Sequence, residues 1–244
     1  MHDIVTPSLD QNGLIAALNS GDRALFSSAA RFVKLTTGTI LYEPADMVGA
    51  AYLPLGDAVA SLHVLVEDGW SVEIAMIGRE GAVGGIVSRG RLPAYARSCV
   101  MHGGYFARIE SAALETLKAS SPAINSLLSR YADCLLAQIF QSVACNAVHD
   151  LEQRAAKWLT AAVDRTGTNQ VTMTQEHFGS LLGIARSYAS RLIQRFKAEG
   201  LVQTRRGALV VTDADGLRRR ACGCNDLVRA HFEHVLAGVY PDGR

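Results

Sequence analysis

No stretch of the sequence approaches the roughly 20 uncharged apolar residues that a membrane-spanning helix needs. The opening Met1-His2-Asp3-Ile4-Val5-Thr6-Pro7 lacks the basic start and apolar block of an export signal, so the expected compartment is the cytoplasm. H-E-x-x-H, G-x-S-x-G and phosphate-loop patterns are missing, which leaves no catalytic constellation to support an enzyme. Cysteine is scarce for a disulfide scaffold: Cys99, Cys134, Cys145, Cys222 and Cys224 are an odd number scattered through 244 residues. The one close pair is Cys222-Gly223-Cys224, with His231 and His234 downstream. Cys and His are zinc's ligands, but this spacing fits no zinc pattern, and His231-Phe232-Glu233-His234 reads as one face of an amphipathic helix. The expectation is therefore no metal and no other cofactor.

What is present is a soluble globular composition, 49% hydrophobic and 19% charged. The net charge of +1 conceals an asymmetry. Residues 174–220 hold nine Lys or Arg against four Asp or Glu, a net +5, while residues 1–173 carry −3. A basic segment in a mildly acidic chain suggests one localised anionic partner.

The texture along the chain changes twice. Residues 10–35 read as helical, with Leu14, Leu18, Leu25, Phe26 and Phe32 near helical spacing. From Thr36 to about Ile109, short runs such as Thr39–Tyr42, Val59–Val66 and Val72–Ile77 alternate with turn signals, among them Gly38, Glu43-Pro44-Ala45-Asp46, Leu55-Gly56-Asp57, Glu67-Asp68-Gly69 and Ile77–Gly81. That pattern suggests an antiparallel barrel or sandwich. Helix resumes near Ser111, and Ser120-Ser121-Pro122 marks a helix start with proline at its first position. Beyond it, Ile124, Leu128, Tyr131 and Leu135 recur at spacings of four and three, as in a coiled-coil seam; Leu136, Ile139 and Val143 form a second stripe. The expected dimer contacts are Leu128, Tyr131, Leu135 and Ile139. Another helix, about Asp150 to Val163, stops near Gly167.

The most informative stretch runs from Thr174 to Phe196. Thr174 can cap a helix and Glu176 complements its dipole. Phe178, Leu181 and Leu182 form the buried side, Gly183 supplies the turn, and Gly179 and Ala189 are small where two crossing helices come closest. On a wheel of about 100° per residue, Ala189, Leu192, Ile193 and Phe196 face inward. Ser187, Ser190, Arg191 and Gln194 lie opposite, flanked by Arg186 and Arg195, with no acid among them. Arg and Gln are the side chains that read guanine and adenine edges in the major groove. Two short strands, Leu201–Thr204 and Ala208–Val211, follow around Arg205-Arg206-Gly207, a basic wing able to pair with phosphates.

These features resemble the Crp/Fnr family of bacterial regulators over nearly the whole chain. The string Thr174–Phe196 with its wing is similar to that family's helix-turn-helix, Pro122 to about Val148 to its dimerisation helix, and Leu35–Asp46 to the opening strands of its cyclic-nucleotide-binding-type barrel. The resemblance implies an α+β protein: a jelly-roll sensor barrel over 1–121, a dimerisation helix over 122–148 and a winged helix-turn-helix over 149–244. It implies a homodimer on double-stranded DNA, reading an inverted repeat through helix 186–197, with RNA polymerase and an unidentified small-molecule effector as further partners. Gly84 and Arg97-Ser98 line up with the family's phosphate- and ribose-holding elements, and Arg97 could receive an anion with the backbone amides after Gly81, but Gly85 stands where a glutamate is expected. Loss of that carboxylate removes the ribose acceptor, so cyclic AMP is not expected as effector. The N-terminal cysteine cluster of the iron–sulfur members is absent, and His63 and His102 read equally as strand histidines. Ser187 replaces a glutamate, and Ala185 a capping serine whose loss costs roughly 1 kcal/mol. Two other readings compete: an enzymatic or small-molecule-binding barrel, and a helix-turn-helix used only for protein contacts.

Overall fold

The structure, a computed structural model, describes residues 6–67, 70–87 and 90–241. Met1–Val5 of the leader reading, and Asp68 and Gly69 of one expected turn, lie outside them. The chain opens with short helices α1 (Gly13–Ala16) and α2 (Ser20–Ala29). Asn12 caps α1: its side-chain oxygen accepts from the amides of Leu14 and Ile15, while its amide group donates to the carbonyls of Pro54 and Gly81. Helix does not extend to residue 35 as the apolar spacing suggests. Arg31–Leu35 is strand β1, because its backbone groups pair with β7 (Gly104–Glu110), from Arg31 opposite Arg108 to Leu35 opposite Gly104.

Strands β2 (Ile40–Tyr42), β3 (Ala50–Pro54), β4 (Val59–Leu65), β5 (Ser71–Ile77) and β6 (Arg97–His102) complete two antiparallel sheets, in the orders β1-β7-β3 and β2-β6-β4-β5. The sheets are open layers rather than a closed barrel. Phe106 from one packs with Ala60, Ile77 and Val100 from the other, burying the inner faces of both.

Helix α3 (Ser111–Ser120) leads to α4 (Pro122–Val148), where the Ser121 hydroxyl accepts from the Ile124 amide and Pro122 fills the first turn. The protomer's own core buries the apolar stripe expected to face a partner. Leu128 and Tyr131, expected between subunits, are 3% and 1% exposed inside their own protomer. They pack with Leu114, Ile109 and Phe232, and the Tyr131 hydroxyl donates to the Ala82 carbonyl at 3.1 Å. Leu135 and Ile139 are half-buried. The apolar face left open is Leu136, Phe140 and Val143, of which Phe140 and Val143 are 63% and 66% exposed. The sandwich took the first stripe because α4 must cover the sheet edge and the loop beside Gly81.

Helix α5 (Leu151–Thr166) begins in a reciprocal cap between Asp150 and Gln153 and ends at Gly167 in the left-handed conformation. There follow β8 (Gln170–Thr172), α6 (Gln175–Leu182), α7 (Arg186–Ala198), β9 (Val202–Arg205), β10 (Ala208–Val211), α8 (Ala214–Arg220) and α9 (Cys224–Val235). Strands β8, β10 and β9 form one small sheet; β8 had no clear sequence signal, being three residues long. Helix α9, although last in the chain, packs on α4: Val228 and Phe232 join the N-terminal core.

Candidate nucleic-acid interface

Helices α6 and α7 cross at a tight turn whose parts are all local. Thr174 Oγ1 accepts from the His177 amide at 3.0 Å, and Gly183 ends α6 at φ +70°. A Cβ on Gly179 would lie 2.8 Å from the Ile184 carbonyl oxygen, so only glycine permits this crossing. Ala185 precedes α7 without a side-chain cap, and the helix relies instead on Ala189, Leu192, Ile193 and Phe196, all buried.

The opposite face of α7 is open. Arg186, Ser187, Arg191 and Gln194 are exposed and Ser190 is partly so, with no acidic side chain among them. Arg191 lies over the Tyr188 ring, 4.4 Å from guanidinium to centroid, an arrangement that restrains the arginine while leaving its donors outward. Tyr188 was missed by sequence reasoning, which scored polarity and passed over a 55%-exposed ring. Arg195 is turned aside and pairs with Glu152 of α5. At the other end, Thr174, Arg186 and Arg205 border one concavity between the helix-turn-helix and the wing. Arg205 and Arg206 are exposed at the wing tip, where Gly207 makes the turn at φ +70°.

The basic excess of 174–220 narrows when partners are counted. Arg218 pairs with Asp164, and Arg220 with Glu199 at 2.7 Å. Arg186, Arg191, Arg205 and Arg206, which have no acidic partner among the described residues, cluster instead on α7 and the wing.

The sandwich presents a second candidate site. A cavity of about 270 Å³ is lined by Gly84, Gly85 and Ser98 together with Val48, Leu62, Ile77, Val83 and Leu135. Gly84 needs to be glycine: at φ +112° its Cβ would lie 2.3 Å from the Ala50 carbonyl oxygen. Gly81 and Arg97 are not brought to this cavity. Gly81 backs onto Tyr131, and Arg97 Nε donates to Glu43 at 2.8 Å. No helix forms over Gly84–Val87, and of the amides after Gly81 those of Val83 and Ile86 bond the Tyr52 and Gly84 carbonyls. His63 bonds Ser61 at 2.7 Å, and burial lowers its pKa to about 4, which keeps it a neutral strand histidine.

The winged helix rests on the sandwich through β5. Ser180 Oγ donates to the Ser71 carbonyl at 2.8 Å, and Trp158 Nε1 donates to Glu73 Oε1 at 2.6 Å. Burial raises the Glu73 carboxyl from 4.5 to about 7, the Trp158 hydrogen bond, Arg165 and Lys157 opposing the rise, and its Oε2 is buried without a partner. Because the folded value exceeds the unfolded one, this contribution to stability is complete below about pH 4.5 and is lost as pH rises through 7. Glu73→Gln keeps an acceptor for Trp158 and removes the charge. It is expected to stabilise the protein by about 2–3 kcal/mol at pH 8 and by almost nothing near pH 4, read from melting curves. Equal shifts at both pH values would reject the assignment.

Comparison with known proteins agrees with this geometry. Residues 153–220 match the Crp-like helix-turn-helix domain family. No curated protein sequence matches the chain. Among solved structures, the c-di-GMP-responsive global regulator CLP of Xanthomonas campestris aligns with a TM-score of 0.65 at 17% identity, covering 80% of this chain and 100% of that one. A Crp-family transcriptional regulator from Thermus thermophilus aligns at 0.65 and 17%, covering 78% and 96%. A Crp/Fnr-family regulator from the same organism aligns at 0.63 and 16%, covering 78% and 98%. Across the described residues no helix is long and apolar enough to cross a membrane. Residues 153–220 thus form a Crp-like helix-turn-helix domain, and the chain has the fold of the Crp/Fnr-family regulators with which it aligns.

Proposed function

We propose that the protein is a homodimeric, sequence-specific DNA-binding regulator that acts in the cytoplasm, without catalytic activity, and answers to a small effector held in its sandwich. The observation that carries this reading is the acid-free, outward face of α7 beside a basic wing. We divide the chain as 1–121 for the sensor, 122–148 for the dimer helix and 149–244 for the DNA-binding part, with α9 folding back onto α4. RNA polymerase is the natural further partner of such a regulator.

The cavity argues for an uncharged, apolar effector rather than a cyclic nucleotide. Its walls are mostly aliphatic, Gly85 offers no carboxylate, and Arg97 is engaged by Glu43. Leu135 of α4 lines it, and Leu136 beside it belongs to the open apolar face, so a ligand that moves Leu135 also moves the seam.

On DNA, Arg191 contacts a base edge, while Arg205 and Arg206 contact phosphates. Paired recognition helices of a two-fold dimer sit about 34 Å apart, so the operator is an inverted repeat with half-sites one turn apart. The test compares Arg191→Ala with Arg205→Ala on DNA selected by the purified protein. Arg191→Ala is expected to cost about 1–3 kcal/mol and to relax preference at one position. Arg205→Ala is expected to weaken all sequences alike and to lower the salt slope by about one unit. If Arg191→Ala weakens every sequence equally, its role as a base reader is wrong.

A further inference from the structure

The sequence offers Cys222 and Cys224 with His231 and His234 as a conceivable metal set, and the fold separates them: both histidines are exposed on α9. It brings a different pair to the cysteines. Cys145 lies in the last turn of α4, and His149 caps that helix four residues on, its amide donating to the Cys145 carbonyl. Cys222, in the link between α8 and α9, and Cys224, the first residue of α9, flank the exposed Gly223. The four potential ligand atoms all lie within 4.8 Å of one another. Cys145, Cys222 and Cys224 are 0%, 8% and 3% exposed and form a cluster apart from the larger cores.

The distances have a chemical meaning. Cys145 Sγ and Cys222 Sγ are 3.6 Å apart, and Cys224 Sγ is 3.5 Å from His149 Nδ1. A tetrahedral zinc ion with Zn–S of ~2.3 Å and Zn–N of ~2.0–2.1 Å sets its sulfur atoms ~3.8 Å apart and sulfur and nitrogen ~3.6 Å apart. The same separation is far beyond the ~2.05 Å of a disulfide. Three sulfurs and one imidazole, with no carboxylate among them, suit zinc and not calcium or magnesium. The Gln141 side chain donates Nε2–H to Cys224 Sγ at 3.1 Å, the outer-shell hydrogen bond a coordinating thiolate needs.

We propose that Cys145, His149, Cys222 and Cys224 form a tetrahedral zinc site that staples the C-terminal end of α4 to the link between α8 and α9. Binding releases the three thiol protons to solvent and places two negative charges of three against the dication. The ion joins the helix that leads out of the sandwich to the segment that leaves the winged helix. It therefore sets how firmly the DNA-binding unit is held, and that consequence alone rests on the reading above.

The test uses the full chain, purified under reductant and stripped by a chelator, then titrated with cobalt(II) as a spectroscopic stand-in for zinc. A thiolate-to-cobalt charge-transfer band saturating at one ion per chain, and displaced by zinc, is the expected result. Cys145→Ser and Cys222→Ser should each abolish it, and Cys99→Ser, outside the cluster, should leave it unchanged. Gln141→Ala should retain the band with metal affinity about 10- to 100-fold weaker. Since serine at a buried cysteine can impair folding, His149→Ala at the half-buried helix end gives an independent reading: a folded protein with an altered band and weaker binding. No band from the reduced wild type, a band that survives Cys145→Ser in the folded protein, or a Cys145–Cys222 disulfide in the native protein that excludes metal would each overturn the site. None of these measurements involves DNA, so failure here and failure of the DNA-binding reading are told apart.

Discussion

Leu136→Glu combined with Phe140→Glu is expected to yield folded monomers by analytical ultracentrifugation, with an unchanged melting profile of the protomer. On α4, Leu136, Phe140, Val143 and Ala147 recur at spacings of four, three and four and are all exposed. Two copies of that face supply a seam with coiled-coil periodicity. Burying the exposed part of a large apolar side chain contributes about 1 kcal/mol, and the two-fold axis counts the two replaced side chains, Leu136 and Phe140, twice, about 4 kcal/mol in all. Glutamates facing their own symmetry mates add repulsion and an unpaired buried charge. Together the loss is on the order of 6 kcal/mol, or a 10⁴-fold weaker association. Leu128→Lys is the contrasting variant. Its side chain is 3% exposed in the protomer's own core, so the outcome there is unfolding rather than clean dissociation. A dimer that persists in the Leu136/Phe140 variant would show that another surface holds the subunits.

The second large effect is expected at Arg165, which is 3% exposed on α5. Its Nε donates to Glu80 Oε1 at 2.7 Å, one terminal nitrogen donates to the Tyr240 hydroxyl at 3.2 Å, and the guanidinium lies 5.2 Å from the Tyr240 ring centroid. Arg165→Met removes the cation and strands Glu80, 2% exposed, with only the Gly78 amide as a donor. Breaking one side of a buried pair costs about 3–5 kcal/mol, or roughly 10 °C of melting temperature in a protein this size. Glu80→Met added to Arg165→Met should recover much of that loss, because the uncompensated charge is then gone. If the double variant melts no higher than the single one, the cost lies in packing and not in charge. The pair also has a functional position. Glu80 precedes the cavity wall Ala82–Ile86, and α5 leads to the helix-turn-helix, so this contact is a buried electrostatic tie between the sandwich and the winged helix.

Much of the candidate nucleic-acid interface is legible in the sequence, since its signals act over a few residues. Thr174 caps because its hydroxyl reaches an amide three residues on, and Gly183 turns because it lacks Cβ. The inward and outward faces of α7 follow from helical periodicity alone. The same holds for the start of α4 at Pro122 and the stop of α5 at Gly167. Arg195 shows the limit of that reasoning. Periodicity places it at the edge of the reading face, and only the packing of α5 against α7 supplies Glu152 as its partner.

Other features depend on pairing between segments distant in sequence, to which local pattern is blind. Arg31–Leu35 carries helical apolar spacing, yet hydrogen bonds to β7, some seventy residues away, make it a strand. Helix α4 shows two apolar stripes of similar strength, and only the arrival of the sandwich and α9 decides which is buried at home. The cysteine–histidine cluster is the extreme case. By itself the sequence determined the helix ends, the turn and the two faces of the reading helix, because each is settled by backbone hydrogen bonding and sterics within a turn or two. Only the tertiary structure decided which apolar stripe of α4 stays open, the pairing of Arg97 with Glu43 and the meeting of Cys145 and His149 with Cys222 and Cys224, because each needs side chains that no local interaction brings together.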